Sequence, residues 1–221
     1  GDFSMTKMIE PWMPPVLETA DNGFELMQDC CEREERLEEK LLTKLDVQGE
    51  VFDTICISKV KFENCLFLDC SFKKGEFTDV IFQSCNFSNC DFSDSYFNRC
   101  QFTGSKGMGT KFCGNSIQNL TVKDCNFSYA NFDSSKLEKI QFEDSELRGA
   151  SLSQCRCKMV YWSRVRLSEA SFFKTSMQKM DFTTCDIAGI SISDDCSELK
   201  GAVVDLYQAA ELAKRLGLVI K

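Results

Sequence analysis

Cysteine is the residue type in this chain with the most reactive side chain, and its fourteen copies are accompanied by no histidine. Zinc sites usually pair cysteines as C-x-x-C or combine them with histidine, and a nucleophilic cysteine usually needs a neighbouring base. Neither pattern occurs here. Eight of the cysteines instead share one five-residue register, at positions 65, 70, 85, 90, 100, 125, 155 and 185.

That register predicts that these eight cysteines are buried, reduced and packed as small hydrophobic side chains. A disulfide ladder is the alternative, because Cys65 and Cys85 are separated by twenty residues. The candidates for accessible thiols are Cys30, Cys31 and Cys113. Because no thiol has a predicted base or a set of metal ligands, the sequence predicts no metal site and no cofactor.

Two other motifs are weak candidates for chemistry. The adjacent acids Glu143 and Asp144 are typical of a solvated surface corner rather than of a general acid and base. The glycine-rich segment 104–110 (GSKGMGT) lacks the Lys-Ser/Thr ending of a phosphate-binding loop and predicts a bulge or tight loop instead. The sequence therefore predicts a protein that is not an enzyme.

The element that positions all these residues is a repeat of five. From Phe52 to Ile192, 29 positions at five-residue intervals are apolar except for Gly107. A period of five fits neither an α-helix nor a β-strand, so it indicates a structural repeat. The phenylalanines predicted to form its core are Phe52, Phe62, Phe72, Phe82, Phe92, Phe102, Phe112, Phe132, Phe142, Phe172 and Phe182.

A second set of positions, two residues before the first, is mostly small. Burial of one large and one small side chain in every five residues predicts a chain that turns at each pentapeptide. Four such turns make a four-sided tube with twenty residues in each coil. The large residue fills the tube and the small residue packs beside it.

The segments CNFSNCDFSDS and YANFDSS resemble the pentapeptide-repeat family. The resemblance covers roughly residues 47–196 and implies a right-handed quadrilateral β-helix. The predicted fold class is therefore an all-β solenoid of about seven coils, with an N-terminal cap and a C-terminal capping helix.

The predicted organisation has four parts. Residues 1–7 are interpreted as a cloning remnant, 8–46 as the N-terminal cap, 47–197 as the β-helix and 198–221 as a capping and dimerisation helix. The proline-rich segment 11–15 should lie extended against another part of the molecule. The segment 24–45 fits either a helix or an imperfect first coil, and either would cover the open end of the tube.

The C-terminal tail has the pattern of a helix. Asp205 is its candidate N-cap and Gly217 its stop, followed by an apolar, strand-like end. The helix has more apolar surface than one lid needs, which favours a homodimer. The predicted capping and dimer residues are Tyr207, Ala209, Ala210, Leu212, Ala213, Leu216, Gly217, Leu218, Val219 and Ile220.

The same tail resembles the Qnr-like quinolone-resistance branch of Gram-positive bacteria. That resemblance implies a cytoplasmic, rod-shaped homodimer that resembles DNA in shape, binds DNA gyrase or topoisomerase IV and protects them from fluoroquinolones. It implies no direct binding to nucleic acid and no membrane. Two features depart from the branch: the unbroken repeat has no room for long loops, and residues 46–200 carry a net charge of only −3.

The alternative function is a scaffold for another protein partner. One side of the tube, centred on residues 57, 77, 97, 117, 137, 157 and 177, carries a net charge of +4 and could bind an acidic partner. A solvated surface of mixed charge is the commoner explanation of such a pattern. The acidic residues predicted as a partner surface for the topoisomerase function are Glu63, Asp91, Asp94, Asp124, Glu143 and Asp144.

Overall fold

The computed structural model describes residues 8–221 of the chain, so the predicted cloning remnant at 1–7 lies outside the described residues. Short parallel strands coil around a buried centre, and a helix lies near each end of the tube. In chain order the elements are β1 (Glu18–Thr19), α1 (Gly23–Glu32), β2 (Arg36–Thr43), β3 (Asp46–Gln48), β4 (Cys56–Glu63), β5 (Leu66–Leu68), β6 (Glu76–Gln83), β7 (Tyr96–Thr103), β8 (Ser116–Lys123), β9 (Lys136–Glu143), β10 (Arg156–Ser163) and α2 (Leu206–Ala213).

The strand register confirms the coil of twenty residues. Ile57 pairs with Phe77 and Phe77 pairs with Phe97, always in parallel. The long sheet has the order β1-β2-β4-β6-β7-β8-β9-β10 and occupies two adjacent sides of the tube. On the other two sides, β3 pairs with β5 in a second, two-stranded sheet, and single bridges such as that between Ser71 and Asp91 join further coils. The predicted fold class is therefore confirmed as a parallel β-solenoid of about seven turns with a short C-terminal helix.

The corners of the coil have a conformation that the sequence pattern did not predict. Every fifth residue from Glu39 to Lys179 has a positive φ, between 48° at Asp144 and 69° at Gly109. These residues lie two places after the central apolar residue. Only some of them are glycine, asparagine or aspartate, the residue types that tolerate this region best. The repeated ladder of hydrogen bonds thus holds many ordinary side chains in left-handed geometry.

The interior is a set of phenylalanine stacks. The ring centroid of Phe92 lies 4.7 Å from that of Phe72 and 5.4 Å from that of Phe112, and the ring planes of both pairs are nearly parallel. On another side, Phe82 stacks on Phe102 at 4.5 Å. All eleven phenylalanines of the predicted repeat core are buried. In the middle of the tube, rings such as Phe92 and Phe82 therefore pack between rings one coil above and one coil below, in addition to their neighbours within the coil.

The glycine-rich segment 104–110 forms no bulge or loop, so that expectation is wrong. Gly104 and Gly109 occupy the left-handed corner positions of an uninterrupted coil. Gly107 occupies a large-residue position, and the ring of Phe127 fills its space. A Cβ atom at Gly107 would lie 2.3 Å from that ring. Because Phe127 replaces the missing side chain, the repeat continues without insertion.

Both interpretations of the segment 24–45 are correct in part. Its first third is α1, which ends at Glu32, and strand β2 begins at Arg36 with Leu37 and Leu42 buried in the repeat register. A helix through residue 45 is therefore wrong. The short strand β1 pairs with β2 and covers the edge of the long sheet.

All fourteen cysteines are free thiols. Of the eight in the repeat register, Cys185 is half-buried and the other seven are buried. Among the predicted accessible thiols, Cys31 and Cys113 are half-buried. Cys30 lies on the buried face of α1, so the expectation that it is accessible is wrong. Burial raises the pKa of Cys100 and of Cys125 to about 12. Such thiols are poor nucleophiles at neutral pH.

Candidate protein-binding surfaces

The N-terminal segment 8–20, called the strap below, crosses the side of the tube that the sequence marked as basic. The backbone N–H of Ile9 donates to Asn119 Oδ1 at 3.2 Å, and that of Trp12 donates to Asp79 Oδ1 at 3.0 Å. Lys59 Nζ lies 5.1 Å from the centroid of the Trp12 ring. The prolines of segment 11–15 keep this stretch from forming a helix, as the sequence predicted. The strap therefore spans the coils between β8 and β2.

Asp79 anchors the strap. Its carboxylate is buried and accepts two hydrogen bonds from Arg99, at 2.7 Å from Nε and 2.9 Å from Nη2, as well as the one from Trp12. Burial opposes the ionisation of Asp79, but the hydrogen bonds from Arg99 and Trp12 outweigh it and lower the pKa of Asp79. Asp79 and Arg99 are thus paired with each other on this side of the tube.

The basic side divides into two halves that differ in net charge. We call the outward residues of the pentapeptides centred on 57, 77, 97 and 117 the covered half, and those centred on 137, 157 and 177 the open half. The covered half has a net charge of zero, so the open half holds all of the +4. Its cations form no ion pair in the described chain, 8–221, and they are Lys136, Lys139, Arg156, Lys158 and Lys179.

The six acids predicted as a partner surface do not come together. Glu63, Asp124, Glu143 and Asp144 lie on the side centred on Phe62, whereas Asp91 and Asp94 lie on the opposite side. Glu63 pairs with Lys61, Asp91 with Lys73, and both Glu143 and Asp144 with Arg164. These acids therefore form two separate surfaces, and four of the six are already paired with cations.

Helix α2 closes the last coil through a residue that sequence reasoning missed. Asp205 caps the helix as predicted, because its Oδ1 accepts from the backbone N–H of Gln208 at 2.8 Å. In return, the backbone N–H of Asp205 donates to Gln208 Oε1 at 3.0 Å. The same glutamine donates through Nε2 to the carbonyls of Phe182 and Cys185, at 2.8 and 2.9 Å. The predicted stop, Gly217, has a φ of 80°. The capping box thus also satisfies two carbonyl groups of the coil beneath it.

The outer surface of this cap is apolar. Leu206 is 91% exposed, Tyr207 is 75% exposed and Val219 is 84% exposed. We call these residues, with Leu216, Leu218 and Ile220, the end surface. Leu212, which the sequence placed with the dimer residues, is half-buried against the core instead. Residues 218–220 pair with no strand in the described part of the chain, so the predicted strand-like end is wrong.

No group of acidic, cysteine or histidine side chains in residues 8–221 has the arrangement of a metal site. The described helices include none long and apolar enough to cross a membrane. The candidate surfaces for binding another molecule are the end surface and the open half of the basic side.

Comparisons with known proteins locate the chain among repeat proteins. The family model described as "Pentapeptide repeat region" matches residues 75–152 and 95–172, which together span β6 to β10. No curated protein matches the chain.

Solved structures of repeat proteins are similar to it. Full-length QnrB1, a plasmid-mediated fluoroquinolone resistance protein, is 21% identical with a TM-score of 0.45, over 80% of this chain and 100% of that one. A trypsin-treated form of QnrB1 is 25% identical with a TM-score of 0.49, over 85% and 90%. The pentapeptide repeat protein Rfr23 from the cyanobacterium Cyanothece 51142 is 13% identical with a TM-score of 0.28, over 82% and 99%.

Proposed function

We propose that this chain, which belongs to the pentapeptide-repeat family, is a non-enzymatic binding protein that protects DNA gyrase or topoisomerase IV from fluoroquinolones. QnrB1 is a fluoroquinolone resistance protein, and we infer the same class of activity here from a feature of this chain itself. That feature is the end surface, which the tail residues Leu216 to Ile220 form together with the start of α2. It is the tail whose sequence resembles the quinolone-resistance branch.

The end surface supports a dimer that is joined end to end. Leu206, Tyr207 and Val219 are large, apolar and exposed, and exposed apolar surface is typical of association sites. A two-fold pair of these ends would bury the same patch on both subunits. Seven coils spaced about 4.8 Å apart give a tube of roughly 35 Å, so the dimer would contain about 70 Å of coils. A rod of that length could occupy a surface that otherwise binds a DNA duplex.

Charge limits how far the likeness to DNA extends. A duplex of roughly 35 Å carries about 20 negative charges, at one per ~1.7 Å, whereas residues 46–200 have a net charge of −3. Acidic residues lie on two opposite sides of the tube. Recognition would therefore depend on rod shape and on local acidic rows rather than on overall charge.

A supercoiling assay with purified gyrase and a fluoroquinolone tests this proposal. We expect the wild-type protein to sediment as a dimer and to restore supercoiling in the presence of drug. The double variant Leu206→Glu/Tyr207→Glu should be monomeric and should lose protection, because it places carboxylates in the buried interface. Val51→Glu is the matched control, since Val51 is also exposed but lies on the tube wall.

The outcomes separate the two parts of the proposal. If the wild type gives no protection to gyrase or topoisomerase IV, the function is wrong. If the double variant is monomeric and still protects fully, the enzyme recognises a single tube and the dimer is not required.

A further inference from the structure

The long sheet is interrupted at one place. At each coil, a backbone N–H at the start of the strand donates to a carbonyl of the preceding coil. The series begins with the Glu76 N–H, which donates to the Ile55 carbonyl at 2.9 Å, and ends with the Arg156 N–H, which donates to the Ser135 carbonyl at 3.0 Å. The next bond of this series, from Ser176 to Cys155, is missing in the described residues. The series at the other end of the strand also stops, because the Arg164 N–H donates to the Thr184 hydroxyl instead of to a backbone carbonyl. Strand β10 is therefore an open edge.

The following coil, residues 176–183, forms backbone hydrogen bonds with the C-terminal segment. The N–H groups of Met177, Lys179 and Phe182 donate to the carbonyls of Glu198, Gly201 and Val203, each at 2.9 Å. Elsewhere the two coils remain joined, since Leu167 donates to Asp186 at 2.7 Å and Gln154 donates to Phe173 at 2.8 Å. The last coil thus separates from β10 on the sheet sides only.

A cleft of about 400 Å³ occupies this separation. One wall is β10 from Cys157 to Tyr161, and the other comprises Ser176, Gln178, Lys179 and Met180. Val160 and Met180 are buried. Ligand clefts in proteins have volumes of roughly 300–1,000 Å³ and combine apolar walls with a few polar groups. The cleft therefore has the size and composition of a binding site.

We propose that this cleft binds an extended, acidic segment of a protein partner, which adds as a strand to β10. Backbone hydrogen bonds with an open strand edge give affinity for extended peptides of many sequences. Selection for acidic residues comes from the open half, whose cations Lys158 and Lys179 lie on opposite walls of the cleft. Arg156 and Lys139 add two further unpaired charges nearby. This site is separate from the end surface and does not depend on the topoisomerase proposal.

The side chains around the cleft favour a peptide over a second copy of the chain. Lys158 is in register with Glu138 on β9 but forms no ion pair with it in the described structure, so its charge is available. Each copy would present the same cations to the other, and like charges oppose such pairing. The cleft also offers backbone N–H groups, which complement peptide carbonyls.

The test uses an acetylated, amidated eight-residue peptide of alternating glutamate and valine, matched to the eight residues of β10 and followed by fluorescence anisotropy. We expect saturable binding that weakens about tenfold in Lys158→Glu/Lys179→Glu. The control Lys74→Glu/Lys111→Glu has the same change in charge at exposed lysines on another side and should bind normally. A peptide with alternate backbone nitrogens methylated should not bind, because it cannot complete the ladder.

Each alternative result overturns the proposal. Equal binding of the methylated peptide would mean that charge alone is responsible. Equal binding by Lys158→Glu/Lys179→Glu, shown by circular dichroism to be folded, would place the peptide elsewhere. Tighter binding of a DNA duplex that competes with the peptide would identify the open half as a nucleic-acid surface.

Discussion

The covered and open halves of the basic side have the same backbone and differ in what lies outside it. Both consist of five-residue turns with a left-handed corner, and both overlie buried apolar residues. In the covered half, Asp79 pairs with Arg99 and holds the strap. In the open half, the cations are unpaired and β10 has a free edge. The comparison indicates that the repeat specifies the tube, whereas outward residues and terminal segments specify what each part of it can bind.

The largest expected effect concerns the core that both halves share. Phe97 is fully buried under the covered half and stacks on Phe77 with 4.6 Å between ring centroids. Phe97→Ala should lower the free energy of unfolding by roughly 3–5 kcal/mol, because the fixed coils cannot collapse into the cavity. Gln101→Ala, on the outside of the same strand, should change little. Equal losses in urea denaturation would contradict the assignment of inward and outward positions.

The next effect tests whether Asp79 anchors the strap. Asp79→Ala leaves the Arg99 guanidinium and the Trp12 N–H without their acceptor, and should cost about 2–3 kcal/mol. Asp144 is a matched control. It accepts two hydrogen bonds from Arg164, which lies one coil further along the chain as Arg99 does from Asp79, but Asp144 is exposed. Asp144→Ala should have a much smaller effect on thermal stability. If the two variants lost equal stability, burial of the pair would not matter.

A pH titration sharpens the same comparison. The pKa of Asp79 is lowered in the folded protein, so its ionised form contributes stability at pH values above about 4, the usual carboxyl range. That contribution is lost as the pH falls through the folded pKa. The stability difference between wild type and Asp79→Asn should therefore be largest near pH 7 and should shrink toward pH 2. A difference independent of pH would show that ionisation of Asp79 is not the cause.

The smallest effect concerns Trp12. Its ring lies over Lys59 but is largely exposed, so Trp12→Ala should cost about 0.5–1 kcal/mol. Trp12→Phe retains a ring and should lose less. Limited proteolysis within residues 8–20 would detect a loosened strap more sensitively than global unfolding. Unchanged cleavage of Trp12→Ala would mean that the backbone hydrogen bonds to Asp79 and Asn119 and the pairing of β1 with β2 fix this segment without the ring.

The sequence predicted the features that depend on the inward residues. The five-residue period identified the coil length and the buried phenylalanines, and the residue type at Asp205 identified the start of the last helix. Gly217 ends the 3-10 turn, Lys214–Leu216, that follows this helix. The prediction of a bulge or loop at 104–110 was wrong, because the ring of Phe127, one coil further along, fills the space of the missing Gly107 side chain. A compensation between residues twenty apart is not visible in the local sequence.

Other features could not be predicted because they depend on pairing rather than on periodicity. Met177 and Phe182 are apolar residues in the five-residue register, so the sequence repeat continues past β10. The backbone hydrogen bonds between β10 and the following coil are nevertheless missing in the described residues. The path of the strap depends on contacts between distant parts of the chain, such as the hydrogen bonds from Trp12 to Asp79 and from Ile9 to Asn119. Gln208 reads as an ordinary helical residue, although its side chain closes the last coil. Only the three-dimensional arrangement identifies these contacts.

Amide hydrogen exchange on equivalent residues of β7 and β10 tests the central claim most directly, namely that one uniform side of the tube contains two different surfaces. By the alternation of the ladder, the N–H groups of Phe97 and Arg99 point to the following coil and are paired there, whereas those of Cys157 and Met159 point into the cleft. We predict strong protection at Phe97 and Arg99 and rapid exchange at Cys157 and Met159. Equal protection at the two pairs of sites would show that the ladder continues past β10, and would contradict the account.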